Sequence, residues 1–136
     1  MEQTEPRVGT GVWIRKDGKV LLGERTGKYG TGTWTPPGGH IDMFETMRDC
    51  AIRETTEEAG IEIENVRLIA TLDNIWDEMK THYVTAYFVA DWKSGEPIPR
   101  PGEIARWEWF EWNNLPTPLF RPAQIYVDTA SNPILE

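Results

Sequence analysis

Gly38-Gly39-His40-Ile41-Asp42-Met43-Phe44-Glu45 leads into Arg53-Glu54-Thr55-Thr56-Glu57-Glu58-Ala59-Gly60-Ile61, and this stretch decides the fold. From Phe44 to Ala59 there is neither proline nor glycine, good helix formers dominate, and Gly60 follows as a stop. The spacing therefore predicts a helix over 44–59. At about 100° per residue, positions i, i+3 and i+4 share a face, so Glu54, Glu57 and Glu58 converge. Like charges so placed oppose helix formation unless something compensates them. A solvated acidic face is the ordinary explanation for a Glu-rich helix. Here the same face continues back through Met47, Cys50 and Ala51, whereas Asp49, Arg53 and Thr56 fall elsewhere. The three carboxylates thus extend the stripe that packs against the protein. Carboxylates beside a buried face need cations, protons or hydrogen bonds. Hard divalent cations suit oxygen ligands, and magnesium is the usual one where phosphates complete the shell. Gly38-Gly39 lets the backbone come close enough for a carbonyl to join that shell.

Outward from the helix, the chain alternates strands and turns. Val8 to Glu24 reads as two strands joined at Lys16-Asp17-Gly18-Lys19, since Asp-Gly is a strong hairpin signal. Gly27 to Gly39, dense in Gly, Thr and Pro, reads as a loop or a strand broken by turns. Val66–Leu72 and His82–Asp91 are rich in β-branched and aromatic residues and read as strands, as does the alternating Ala105–Glu111. Trp92–Gly102 reads as a connection, and Leu119–Thr129 as a short closing helix. The order strand, strand, helix, strands, helix describes a mixed α/β domain, one domain over residues 1–136.

Composition bounds the function. The start, Met1-Glu2-Gln3-Thr4-Glu5-Pro6, is polar and acidic, unlike a signal peptide, and no apolar run approaches a membrane span. The one cysteine, Cys50, has no internal disulfide partner, in keeping with a reducing compartment. A cytoplasmic protein without a membrane partner is expected. The net charge of −8 has the wrong sign for gripping a nucleic-acid backbone, so no nucleic-acid partner is expected. Divalent cations would reconcile such a protein with a phosphorylated small molecule.

The segment also resembles the Nudix box. Gly39, Glu45, Arg53, Glu54, Glu57, Glu58, Gly60 and Ile61 stand at that motif's spacing, and one position departs: Thr55 fills a slot that is usually aliphatic. The resemblance implies a Nudix fold, an α/β/α sandwich with a mixed β-sheet and the box as loop, helix and loop. It implies Mg2+, with Mn2+ as the alternative, held by Glu54, Glu57, Glu58 and the Gly38 carbonyl. Arg53 would hold Glu45 and orient the carboxylates. The base that takes the water's proton stays open between Glu54 and a downstream carboxylate, Glu103 or Glu78. The reaction implied is substitution by water at phosphorus.

The group attached to the diphosphate is not specified by the box. There is no proline between Ile61 and Pro97, where ADP-ribose hydrolases usually carry one. Val20-Leu21-Leu22-Gly23-Glu24-Arg25, Pro37-Gly38-Gly39-His40, Arg53-Glu54-Thr55, His82-Tyr83-Val84-Thr85 and Trp107-Glu108-Trp109 resemble the branch that hydrolyses dGTP-like and thiopurine triphosphates. That branch implies a nucleotide substrate, release of pyrophosphate, and a homodimer. Arg25 and His40 are the candidate phosphate contacts. Trp34, one of 7 tryptophans, is the candidate base-stacking residue. Two other readings stand beside this one: hydrolysis of ADP-ribose, a nucleotide sugar or a dinucleotide, and a non-catalytic nucleotide sensor. Sensors of that fold typically lose box glutamates, which this chain retains.

Overall fold

A computed structural model describes residues 3–136; Met1 and Glu2, at the head of the polar start, lie outside the described residues. The strands are β1 (Arg7–Lys16), β2 (Lys19–Arg25), β3 (Trp34–Thr35), β4 (Gly38–His40), β5 (Glu62–Trp76), β6 (Thr81–Ser94) and β7 (Ile104–Glu111). The helices are α1 (Met47–Ala59) and α2 (Arg121–Thr129). All seven strands join one sheet, in the order β3-β2-β1-β6-β5, with β4 also on β1 and β7 also on β2. β1 and β6 run parallel and the remaining pairs antiparallel, so the sheet is mixed as expected.

Alternation along β1 splits the core in two, because successive side chains of a strand point to opposite faces. Val12 and Ile14 pack with Leu21, Ala86, Phe88 and Ala90 of the sheet against Ala51 and Ala59 of α1. Trp13, between them, packs with Val20, Leu22 and Tyr87 against Ala123 and Tyr126 of α2. One helix on each face makes the α/β/α sandwich. The Asp17-Gly18 turn joins β1 to β2 with both residues at positive φ, 51° and 76°.

Several boundaries differ from the sequence expectation: β6 runs to Ser94, into the stretch read as a connection, and α2 starts at Arg121 rather than Leu119. α1 begins at Met47 rather than Phe44, because Phe44 adopts a left-handed φ of 69° and Thr46 caps the helix by accepting from the Asp49 N–H at 3.1 Å. Gly60 ends it as anticipated, at φ 70° with its N–H on the Thr56 carbonyl. β5 extends well beyond Val66–Leu72 at both ends, sustained by pairing with β6 through several register shifts. The Gly27–Gly39 loop contributes two short strands, and the second of these, β4, brings the double glycine onto β1.

Candidate active site

α1 lies over β4, and the box residues meet there. The buried side of the helix is formed by Cys50, Ala51, Thr55 and Ala59. Thr55 and Ala59, absent from the projected stripe, are its centre: they follow Ala51 at intervals of four. Thr55 is fully buried, and its hydroxyl donates back to the Ala51 carbonyl at 2.8 Å, so the departure from an aliphatic residue leaves no polar atom unsatisfied. Glu54 and Glu58 sit half-buried along one flank of this stripe, and Glu57 is exposed.

Arg53 is the organising cation. Its Nε donates to Glu45 Oε2 at 2.7 Å and its Nη2 to Glu45 Oε1 at 2.9 Å, a two-pronged ion pair of the kind guanidinium makes best. Nη1 reaches Glu54 at 2.8 Å and Glu57 at 3.2 Å, and Nη2 also donates to the His40 carbonyl. One side chain thereby ties the loop between β4 and α1 to two of the three helix carboxylates. Arg53, supported further by the Asp42 N–H, holds the Glu45 carboxyl down at about 2. Burial pushes Glu54 up despite Arg53 beside it. Burial also raises Glu58 to about 7, against the lowering effect of the hydrogen bond it receives from the Gly38 N–H at 2.8 Å.

Gly38 is required sterically by the β1 backbone, and Gly39 lies against the Glu54 side chain. A Cβ on Gly39 would stand 2.4–2.6 Å from the Glu54 carboxyl atoms, and one on Gly38 only 2.0 Å from the Thr10 carbonyl oxygen. Bonds from Ile41 N–H to Val8 and from Val12 N–H to Pro37 set the phase of pairing with β1. A residue one step out of phase with these, as Gly38 is with Pro37, turns its N–H and C=O away from β1. Glu58 takes the Gly38 N–H, so the Gly38 carbonyl opens on the same side as the helix carboxylates.

The carboxylates and this carbonyl form an oxygen donor set of the type hard divalent cations take. Among the described residues, no three His, Cys, Asp or Glu side chains lie close enough together to hold a metal ion as they stand. Arg53 draws Glu54 and Glu57 aside while Glu58 bonds to Gly38. A cation would compete with those partners for carboxylates already on one side of the helix. The donor chemistry fits; convergence requires side-chain rotation.

Around this centre the other sequence candidates are distributed unevenly. Arg25 lies within electrostatic reach of both Glu58 and Glu103, with burial pulling its pKa down, and its guanidinium covers the Phe120 ring at 4.0 Å. Glu103 shares that neighbourhood: its carbonyl accepts from the Thr26 N–H at 2.8 Å and its carboxylate pairs with Arg100. Glu78 instead occupies a short 3-10 turn at the tip of the β5–β6 hairpin. His40, exposed at the end of β4, stacks on Tyr83 with centroids 5.2 Å apart. Trp34 does not stand open as a base platform. It is 6% exposed, packs edge-on to Phe110 in the α2-side core, and has Arg106 over its ring. Phe120, not singled out from the sequence, is an aromatic residue stacked beside Arg25.

The geometry agrees with comparisons to known proteins. The NUDIX domain model matches residues 5–128. A solved MutT NUDIX hydrolase from Burkholderia pseudomallei is 33% identical, with a TM-score of 0.87 over 94% of this chain and 100% of that one. An ADP-ribose pyrophosphatase from Streptococcus suis is 27% identical, with a TM-score of 0.68 over 85% of this chain and 81% of that one. Among curated proteins, the NAD-capped RNA hydrolase NudC of Shigella dysenteriae is 32% identical over 105 residues, 77% of this chain but 39% of the relative. The chain thus spans about two fifths of the length of such relatives. With its box helix seated on the double-glycine strand and its model match covering nearly the whole sequence, the chain belongs to the NUDIX domain family.

Proposed function

We propose that this chain is a Mg2+-dependent hydrolase, also served by Mn2+, that cleaves a nucleoside triphosphate to the monophosphate and pyrophosphate. The observation that carries the reading is the Arg53 clamp, which fixes Glu45 and reaches Glu54 and Glu57 on the helix flank that also bears Glu58. Glu54, Glu57, Glu58 and the Gly38 carbonyl would hold the ion, which supplies positive charge against the diphosphate and makes water more acidic. Arg53 keeps the carboxylates at the helix flank, and Glu45 neutralises and aims Arg53. Arg25 is positioned to meet substrate phosphate, since its charge already faces Glu58 and Glu103. His40 offers a ring at the rim. Water attacks phosphorus, the phosphorus–oxygen bond to pyrophosphate breaks with its electron pair, and the water's proton passes to a carboxylate, Glu54 or Glu103. Residues 1–136 are read as one such domain, acting as a cytoplasmic homodimer on a nucleotide.

The relatives support a second reading. Proteins named as NAD-capped RNA hydrolases and an ADP-ribose pyrophosphatase share the family and a third to a quarter of residues, so a diphosphate joining a nucleoside to a second ribosyl group is the alternative substrate. The chain's charge of −8 argues against a long RNA grip, though not against a capped 5′ end.

A panel with Mg2+ decides: canonical, methylated and oxidised nucleoside triphosphates, ADP-ribose, nucleotide sugars and an NAD-capped oligonucleotide, with pyrophosphate, phosphate and the monophosphate products counted separately. Pyrophosphate from triphosphates, lost in Glu57→Gln, is expected. Cleavage confined to ADP-ribose or the capped RNA overturns the triphosphate assignment and keeps the chemistry. Binding without turnover of any substrate points to a sensor.

A further inference from the structure

β1 carries one buried hydroxyl beneath the double glycine. Thr10 is 6% exposed and its Oγ1 donates to the Gly39 carbonyl at 3.3 Å. The Cys50 thiol, fully buried on α1, lies 3.5 Å from the same hydroxyl and 3.7 Å from the same carbonyl. These three groups belong to β1, β4 and α1, the elements that meet at the carboxylates. Arg53 Nη2 approaches the Cys50 sulfur at 3.8 Å, so the triangle also touches the clamp.

Valine would fill the Thr10 position with nearly the same shape and no hydroxyl to satisfy, at lower desolvation cost. Satisfying a buried hydroxyl is therefore an incomplete account of a threonine here. What the hydroxyl holds is the backbone of Gly39, and that backbone is in contact with a reacting-site group: the Gly39 Cα leaves no room for even a methyl before the Glu54 carboxyl. Cys50 precedes Glu54 by one helical turn, so the same contact fixes the helix at that level. The Gly39 backbone therefore forms one wall of the space in which the Glu54 carboxylate turns, and a change in where that backbone stands changes the positions open to the carboxylate.

We propose that Thr10 and Cys50 are positioning residues for the hydrolytic site: by clasping the Gly39 carbonyl between β1 and α1 they set where the Glu54 carboxylate stands for cation binding and turnover. The inference rests on the metal-dependent reading above. Groups that hold ligands in place in this way are typically worth about 10- to 100-fold in metal affinity or activity.

The test uses Mn2+ as the probe, its binding followed by electron paramagnetic resonance, alongside kcat and KM on whichever panel substrate turns over, and thermal unfolding. Thr10→Val is expected to weaken Mn2+ binding and lower kcat by about tenfold, with KM little changed. Thr10→Ser, which keeps the hydroxyl, should recover most of both. Cys50→Ala should move both in the same direction by less, and it serves if Thr10→Val does not fold. Wild-type Mn2+ affinity in both Thr10→Val and Cys50→Ala overturns the proposal, as does Thr10→Ser matching Thr10→Val. A wild-type protein that binds no Mn2+ and hydrolyses nothing overturns the functional reading instead, which keeps the two failures distinct.

Discussion

The loop-and-helix segment from Gly38 to Gly60 and the rim formed by Arg25, Glu103 and Phe120 border the same site but are built differently. In the first, nearly every contact is local: Arg53 reaches Glu45, Glu54 and Glu57, Thr46 caps Asp49, and Gly60 closes on Thr56. In the second, each partner comes from a distant part of the chain. Arg25 ends β2, Glu103 precedes β7, and Phe120 precedes α2; a register shift in β2–β7 pairing falls between Glu24 and Arg25. Local spacing fixes chemistry before the fold is known, whereas a rim depends on how strands pair.

The largest expected effect tests the first region alone. Glu57 is exposed and bonded only to Arg53, so its loss should leave folding intact. Glu57→Gln should cut turnover by about 10²- to 10³-fold, the scale for removing one preorganised charge from a transition-state site. Its melting temperature should stay within about 2 °C of wild type, as surface changes generally do. Activity within threefold of wild type would remove Glu57 from the ligand set.

Trp34, whose backbone carbonyl accepts from the Phe120 N–H at 2.8 Å, borders the second region and tests it. With its ring in the α2-side core against Phe110, Trp34→Ala should cost about 3–5 kcal/mol of stability. Assayed below its lowered melting temperature, the variant should keep a near-normal KM. A KM raised tenfold with little loss of stability would restore Trp34 as a base platform. The comparison would then weaken, since the rim would have been readable after all.

Legibility follows from the same physics. The β1–β2 hairpin, the α1 stop and the spacing of the box residues were visible, because turn chemistry and fixed spacing are local signals, while the mixed sheet came with the family resemblance. The length of β5 was not, since pairing with β6 carries it past any propensity of its own. The burial of Trp34 was not legible, because nothing in Gly-Thr-Trp-Thr-Pro shows that β3 pairs with β2 and covers the ring. Phe120 gave no signal: its importance comes from Arg25, which lies far away in sequence.

Acid offers a smaller effect that is specific to the clamp. The folded-state pKa of Glu45, about 2, lies below its ordinary 4.5 because Arg53 favours the ionised form. A depressed carboxyl contributes stability that is present above about pH 4.5 and lost as pH falls towards 2. The stability gap between wild type and Glu45→Gln, measured by urea unfolding, should therefore be widest at neutral pH and shrink steadily below 4.5. A gap that stays constant down to pH 3 would mean that the two-pronged pair does not set the titration, and that the region is held by packing more than by charge.

The smallest effect bears on the one local rule the loop breaks. Phe44 is wholly exposed yet left-handed at φ 69°, so its ring gains no burial while its Cβ costs about 1–2 kcal/mol against the backbone. Glycine removes that cost but gives the unfolded chain more freedom, worth roughly 0.5–1 kcal/mol the other way. Phe44→Gly should therefore stabilise the protein by about 0.5–1 kcal/mol, a rise of roughly 2–4 °C in melting temperature. Asp42 and Glu45 on either side remain held by Arg53, so hydrolysis should be unchanged. A fall in melting temperature would show that the ring is covered in the working protein. In that case even this segment, the most local in the molecule, would owe part of its sequence to a contact made from outside it.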